Sequence, residues 1–143
     1  MGSLRAFSDY FGDYPFRDMR VAPAPTAFRG MEYPQVMLIG VELYARFREN
    51  LELLVVHEMA HQWWYNQVGS DQVRTPWLDE GLAEYSMYFY YQQRYGEESA
   101  QSLRDLRWKI PINSLKRRNA DAIVPATQIM SALRPTRGVD PLV

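Results

Sequence analysis

The first 45 residues alternate short apolar runs with proline and glycine, which is typical of short strands separated by turns. Residues 4–12 predict a short helix that ends at Gly12. Pro23 and Pro25 confine the segment around them to an edge strand or a loop, because proline cannot donate to a central ladder. Three strands are predicted, at residues 16–22, 26–32 and 36–39.

The rest of the chain has the 3.6-residue periodicity of helices. A long helix is predicted over residues 50–68, followed by Gly69 as its C-cap. Three polar residues, Glu58, His61 and Gln62, interrupt the apolar face of this helix. A buried helix face that carries polar groups indicates that those groups have specific partners or a chemical role.

Two further helices are predicted after a polar loop. Thr75 and Pro76 are suited to the N-cap and first position of a helix over residues 77–95. A third helix is predicted over residues 97–109, with Pro111 ending it. The whole pattern predicts one α+β domain over residues 1–143, strand-rich in 1–45 and helical in 46–143. A small, mostly antiparallel sheet is expected to pack on the pair of long helices.

Composition removes several classes of function. The chain has 143 residues and a net charge of −1, so neither a nucleic-acid partner nor an anionic membrane surface is expected. The sequence contains no run of about 18 apolar residues and no signal-peptide pattern, so no membrane segment is predicted and the localisation is unknown. Cysteine is absent, which excludes thiolate zinc sites and cysteine nucleophiles.

The only two histidines of the chain lie in an H-E-x-x-H motif on the predicted 50–68 helix. His57 and His61 are one helical turn apart, so both imidazoles can reach one metal ion. Zinc accepts two such nitrogens and a carboxylate and keeps an open position for water. Glu58 points about 100° away from His57, where it can act as general base on that water.

Acidic residues for such a site lie in the next helix. Eighteen residues separate His61 from Glu80, which is enough to finish one helix and start a packed partner. Glu80 and Glu84 are one turn apart, so one can bind metal while the other orients a histidine. Each residue also has an ordinary explanation: a lone histidine is usually structural, and Asp79 in a first turn compensates the helix dipole.

These residues resemble the gluzincin zinc peptidases, and more narrowly the membrane alanyl aminopeptidase family. The resemblance rests on His57-Glu58-x-x-His61, on Glu80 in a Trp-Leu-x-Glu-Gly setting, and on Gly30-Met31-Glu32-Tyr33-Pro34 upstream, and it covers roughly residues 7–110. It implies a thermolysin-like catalytic core with one Zn²⁺. By the same resemblance, the substrate is a peptide with a free N-terminus.

Residue roles follow from the resemblance. The metal ligands would be His57, His61 and Glu80, with Glu58 as general base. Glu32 would bind the α-amino group of the substrate. The backbone of Gly30 and Met31 would pair with the substrate. Glu84 is not expected to bind the metal itself. We expect it to accept a hydrogen bond from the distal nitrogen of a zinc histidine, with His57 favoured over His61.

The sequence also departs from the family pattern. The family's transition-state tyrosine lies sixty or more residues after the glutamate ligand, and here no tyrosine follows Tyr95. The family motif usually has a small residue two positions before its methionine, and this chain has Arg29 there, two positions before Met31. The resemblance therefore implies a truncated catalytic core, with surfaces that missing domains would cover and that favour self-association.

Three hypotheses stay open at the level of sequence. The first is a zinc aminopeptidase core, and Glu32 favours it over an endopeptidase. The second is a zinc-binding fragment that is weakly active or inactive because it lacks the tyrosine. The third is a non-enzymatic helical interaction module in which the motif is accidental and the aromatic helix binds a partner.

Overall fold

The computed structural model describes residues 2–25 and 29–117 of the chain. A small sheet is combined with helices in these residues, which is the α+β class predicted from the sequence. The strands are β1 (Arg20–Ala24), β2 (Gly30–Tyr33) and β3 (Val36–Gly40). The helices are α1 (Ser3–Phe11), α2 (Glu42–Ala45), α3 (Leu51–Ala60), α4 (Pro76–Tyr95), α5 (Glu97–Arg104) and α6 (Ile110–Arg117), with a 3₁₀ turn at Arg48–Asn50 and a π-helical turn at Asp105–Lys109.

The sheet is mixed, so the prediction of a mostly antiparallel sheet is wrong. The strand order is β1–β3–β2, in which β2 and β3 are antiparallel and β1 and β3 are parallel. Successive strands still reverse direction along the chain, as in a meander. Because β3 lies between β1 and β2, however, it runs in the same direction as its neighbour β1. β2 is an edge strand, and its register pairs Glu32 with Met37.

The observed strands only partly match the predicted ones. β3 confirms the strand predicted at 36–39. β1 begins at Arg20 instead of residue 16 and includes Pro23, which the edge position of β1 tolerates. β2 overlaps the end of the strand predicted at 26–32, and residues 26–28 of that prediction lie outside the described part of the chain.

Two helices begin and end where the sequence predicts. α1 ends before Gly12, whose φ of 102° is a conformation that glycine adopts without strain. α4 has Pro76 in its first turn and ends before Gly96, which has a φ of 88°. Thr75 precedes α4, but its side-chain oxygen donates to the Asp71 carbonyl instead of capping the helix.

α3 is shorter than predicted, because it ends at Ala60 and not near residue 68. The chain then forms tight turns in which Tyr65 has a φ of 102°, outside the helical region. Tyr65 N donates to Val68 O at 2.9 Å, and Val68 N donates to Trp63 O at 2.8 Å. His61 therefore lies at the C-terminal end of α3 and not in the middle of a helix.

The helical segment after Gly96 continues through Pro111, so the prediction that Pro111 ends it is wrong. Pro111 is the second residue of α6, and a proline is tolerated in the first turn of a helix. In a regular α-helix a proline ring clashes with the carbonyl four residues earlier. For Pro111 that carbonyl belongs to Arg107, which lies in the π-helical turn, where the backbone pattern is different. This turn also determines which way Arg107 and Trp108 point.

The core lies between the sheet, α1, α3 and α4. Fully buried apolar residues come from each of these elements and include Phe7, Ile39, Val56 and Met87. α3, the helix that carries His57, contacts β2, β3, α1 and α4, and its buried residues lie in its C-terminal half. Among the described residues, no helix combines the length and the apolarity needed to cross a bilayer.

Candidate metal centre

Three side chains with metal-binding atoms converge where α3 ends and α4 begins: His57, His61 and Glu80. Glu80 Oε2 lies 3.1 Å from His57 Nε2 and 3.9 Å from His61 Nε2, and the two Nε2 atoms are 3.3 Å apart. Ligands that each lie about 2.0–2.1 Å from a tetrahedral Zn²⁺ are themselves separated by about 3.3 Å. The two nitrogens and one oxygen therefore fit a single zinc ion.

The turn after α3 positions His61. The chain folds back directly after Ala60, and this brings the Trp64 carbonyl to 3.2 Å from His61 Nδ1. That contact favours the tautomer with the proton on Nδ1 and leaves Nε2 with its lone pair as a ligand. Trp64 Nε1 donates to Ser86 Oγ at 2.7 Å, so the same turn is bonded to α4.

Charge at the cluster is distributed unequally. Burial lowers the pKa of His57, but Glu80 and Glu84 lie against its two ring nitrogens and raise the pKa to about 10. Burial and the neighbouring charge of His57 lower the pKa of His61. Burial disfavours the charge of Glu80, yet the contact with His57 holds its pKa below the ordinary value. These shifts favour a protonated His57 beside a neutral His61, and metal binding at His57 requires that proton to leave.

Glu84 lies against the other side of His57. Its Oε1 is 3.3 Å from His57 Nδ1, a close contact that lacks the directionality of a good hydrogen bond. Arg107 donates Nε to Glu84 Oε2 at 2.8 Å and Nη2 to Oε1, and Trp108 Nε1 donates to Oε2 at 3.0 Å. Although burial favours the neutral acid, the Arg107 guanidinium and then His57 hold the pKa of Glu84 far below its usual range.

Glu58 is buried beside the edge strand. Its carboxylate lies where a Cβ on Gly30 would be, so only glycine at that position leaves it room. Burial, together with the negative charges of Glu32 and Glu80, raises the pKa of Glu58 to about 8, against the opposing effect of His57. A nearby divalent cation would favour the ionised form.

Glu32 and Glu80 line the same cavity of about 450 Å³. Gln72, from the loop between α3 and α4, donates Nε2 to Glu32 Oε1 at 2.9 Å. Asp71 orders that loop by accepting bonds from the backbone N–H groups of Val73 and Arg74. The full lining is Gly30, Met31, Glu32, Gln72, Pro76, Asp79 and Glu80. The structure thus brings the predicted substrate segment to one of the predicted metal ligands, Glu80.

Gln62 bonds the edge strand to the end of α3. This fully buried side chain accepts from Gln35 N at 3.0 Å and donates to Tyr33 O at 3.0 Å. Both partners belong to the β2–β3 turn, in which Gln35 has a left-handed φ of 66°. The residue directly after His61 therefore fixes the hairpin that carries Glu32.

Sequence reasoning missed the contacts of Gln62, Gln72, Arg107 and Trp108. For Gln62 a signal existed, because it lies on the buried face of the predicted helix. For Gln72 and Arg107 no local pattern exists: their partners are 40 and 23 residues away in the chain. Only the packing of the loop and of the π-helical turn brings these side chains to the site.

Comparison with known proteins gives the family. The domain of peptidase family M1 matches residues 2–139, so this chain belongs to peptidase family M1. The family resemblance inferred from the motifs is thereby confirmed. No solved structure matches the chain.

Curated relatives are named as aminopeptidases. The chain is 28% identical over 125 residues to leucine aminopeptidase 2 of Yarrowia lipolytica, covering 87% of this chain and 19% of that protein. It is 33% identical over 91 residues to aminopeptidase M1-C of Oryza sativa subsp. japonica, covering 57% and 10%. It is 27% identical over 142 residues to aminopeptidase O of Homo sapiens, covering 94% and 16%. The chain therefore spans less than a fifth of the length of each of these relatives.

Proposed function

We propose that this chain is the core of a zinc-dependent aminopeptidase, in which His57, His61 and Glu80 hold the ion. One observation carries the proposal: the cavity that Glu80 lines is also lined by Glu32, with Glu58 packed beside Gly30. Metal-binding, proton-transferring and cation-binding groups are thus available within one small space. Membership of peptidase family M1 supports the same chemistry.

The residues divide the reaction between them. Bound Zn²⁺ would supply Lewis-acid polarisation of the scissile carbonyl and lower the pKa of a water molecule. Glu58 accepts the proton of the attacking water on its carboxylate and delivers it to the leaving amine. His61 keeps its ligand nitrogen unprotonated through the Trp64 carbonyl contact. The burial of Glu58 makes its carboxylate a stronger base than an exposed one.

Glu32 accounts for the choice of an N-terminal substrate. Its Oε1 accepts from Gln72 Nε2, and its carboxylate lies within hydrogen-bonding reach of Glu58, so the ammonium group of a substrate would bind beside these two carboxylates. An ammonium beside an ionised carboxylate forms a charge-assisted hydrogen bond that an acylated N-terminus cannot form. β2 is an edge strand, so its free backbone groups can pair with an extended peptide.

Metal analysis and amino-acid arylamide cleavage test this proposal together. We expect about one zinc per chain, lower occupancy in His57→Ala and Glu80→Gln, and retained zinc without turnover in Glu58→Gln. N-acetylated arylamides should not be cleaved. A protein that binds no metal would favour the helical interaction module, and loss of zinc in Glu58→Gln would refute the division between ligand and base.

A weakly active zinc protein is the second candidate, because no tyrosine follows Tyr95 in this sequence. Loss of one donor to a developing oxyanion typically costs about 10²–10³ in rate. For the 143-residue chain alone we therefore expect zinc binding with weak or undetectable arylamide cleavage. Robust cleavage by the zinc-bound chain, abolished in Glu58→Gln, would show that the tyrosine is not needed.

A further inference from the structure

The π-helical turn Asp105–Lys109 places two side chains on one buried carboxylate. Arg107 donates to both oxygens of Glu84, and Trp108 donates its indole N–H to Oε2. π-helical turns are rare and occur frequently at functional sites. Here the turn joins α5 to α6, and its side chains reach back to α4.

Glu84 connects this turn to the metal centre. Its Oε1 is shared between Arg107 and the close contact with His57 Nδ1, whereas Oε2 is occupied by Arg107 and Trp108. Because both oxygens are bonded, turning the carboxylate away from the imidazole would break its hydrogen bonds to Arg107 and Trp108. A planar guanidinium that binds two oxygens fixes the plane of a carboxylate, which a lysine ammonium cannot do.

We propose that Arg107 is a positioning residue of the metal centre, which acts through Glu84 to fix the ring of His57 with Nε2 toward the ion. Trp108 supports this role of Arg107 by donating a further hydrogen bond to Glu84. The inference rests on the proposed zinc site and extends it by one layer. Changes in groups behind a metal-binding histidine typically cost about 10–100-fold in metal affinity.

Chelator competition with zinc tests the role of Arg107. We expect Arg107→Met to weaken zinc affinity about 10–100-fold and Arg107→Lys to weaken it less. Arg104→Met is the matched control, because Arg104 lies one turn earlier and pairs with Asp105, away from Glu84. That variant should bind zinc as tightly as the unmodified chain.

A double-mutant cycle separates positioning from general stability. If Arg107 acts through Glu84, Arg107→Met should cause no further loss of zinc affinity in a Glu84→Gln background. The visible absorption of the Co²⁺-substituted protein should change in Arg107→Met and stay constant in Arg104→Met. Trp108→Phe, which keeps an aromatic ring but removes the donor, should have a smaller effect and gives a test if Arg107→Met does not fold.

The outcomes are distinguishable from those of the proposed function. An unmodified chain that binds no zinc would overturn the metal site itself. Tight zinc binding by the unmodified chain with equal affinity and an equal cobalt spectrum in Arg107→Met would overturn only the role of Arg107. Additive losses in the Arg107→Met, Glu84→Gln double variant would also contradict it.

Discussion

Gly30 shows how one missing side chain makes space for a buried carboxylate, that of Glu58. A Cβ on Gly30 would overlap the Glu58 carboxylate, although the backbone itself is compatible with alanine. Gly30→Ala should therefore displace Glu58 and leave the zinc ligands in place. We expect retained zinc and about a 10²-fold loss of any arylamide turnover, since displacement by about 1 Å can cost that much.

Gly69→Ala is the control for this prediction, because a Cβ at Gly69 meets no atom within 4 Å. Both variants are measured for zinc content and for the initial rate of arylamide cleavage. Unchanged turnover in Gly30→Ala would mean that Glu58 does not need its observed position.

Proton release on zinc binding is a second prediction at the scale of the residue. The pKa of His57 is raised to about 10 without metal, so the ring is protonated at neutral pH and must lose that proton to bind zinc. We expect release of one proton from His57, a further proton from Glu58 below about pH 8, and stronger zinc binding as the pH rises toward 10. Calorimetry in buffers of different ionisation enthalpy measures the proton, and pH-independent zinc affinity between pH 7 and 9 would contradict the prediction.

Which residues the sequence could identify depends on whether their spacing is local. His57 and His61 are one turn apart, so helical periodicity is enough to bring them together. Glu80 is 23 residues from His57, and the Trp-Leu-x-Glu-Gly motif around it identified it. Gln72 and Arg107 reach their partners only through tertiary packing. Neither a hydrophobic period nor a sequence motif predicts such a contact, so a single sequence does not identify it.

At the scale of elements, Gln62 joins the end of α3 to the β2–β3 hairpin. Gln62→Leu would leave Gln35 N and Tyr33 O without their buried partner. Each such group costs roughly 1–3 kcal/mol, so we expect a loss of that order or more in the free energy of unfolding. Urea titration measures it, and the exposed Gln93→Leu should change it by less than about 0.5 kcal/mol. Equal stability of the two variants would refute this role of Gln62.

The end of α3 shows why element boundaries were only partly predictable. The apolar period continues past Ala60, which favours a longer helix. Two indole hydrogen bonds favour a turn after Ala60 instead. Trp63 Nε1 donates to Gly12 O at 2.9 Å, and Trp64 Nε1 donates to Ser86 Oγ at 2.7 Å. Both partners lie on other elements, so the turn is a consequence of packing and not of local propensity.

The direction of the strands was unpredictable for a related reason. Hydrophobic alternation identifies a strand, but it does not say which neighbour the strand pairs with. β3 pairs with β2 through a short turn at Pro34 and Gln35, which the sequence indicated. Its insertion beside β1 depends on the whole sheet, and this produced a parallel pair where an antiparallel one was expected.

For the whole molecule, exposed apolar side chains favour self-association. Trp77, Leu106 and Ile110 are each more than half exposed. Apolar surface of this kind is typical of faces that contact another protein. We expect the isolated chain to form concentration-dependent dimers or larger species in sedimentation experiments. Leu106→Gln combined with Ile110→Gln should shift the equilibrium toward monomer, and a chain that stays monomeric at high concentration would contradict the prediction.

The adjacency of His61 and Gln62 has a consequence for which bond of a peptide can react. In the proposed site His61 would bind the metal, and Gln62 bonds the hairpin that carries Glu32, so two neighbouring residues would connect the ammonium site to the reacting centre. That separation would then suit one length of first residue. A peptide that begins with a β-amino acid, whose backbone is one methylene longer, would bind its ammonium at Glu32 and place its first amide past the metal.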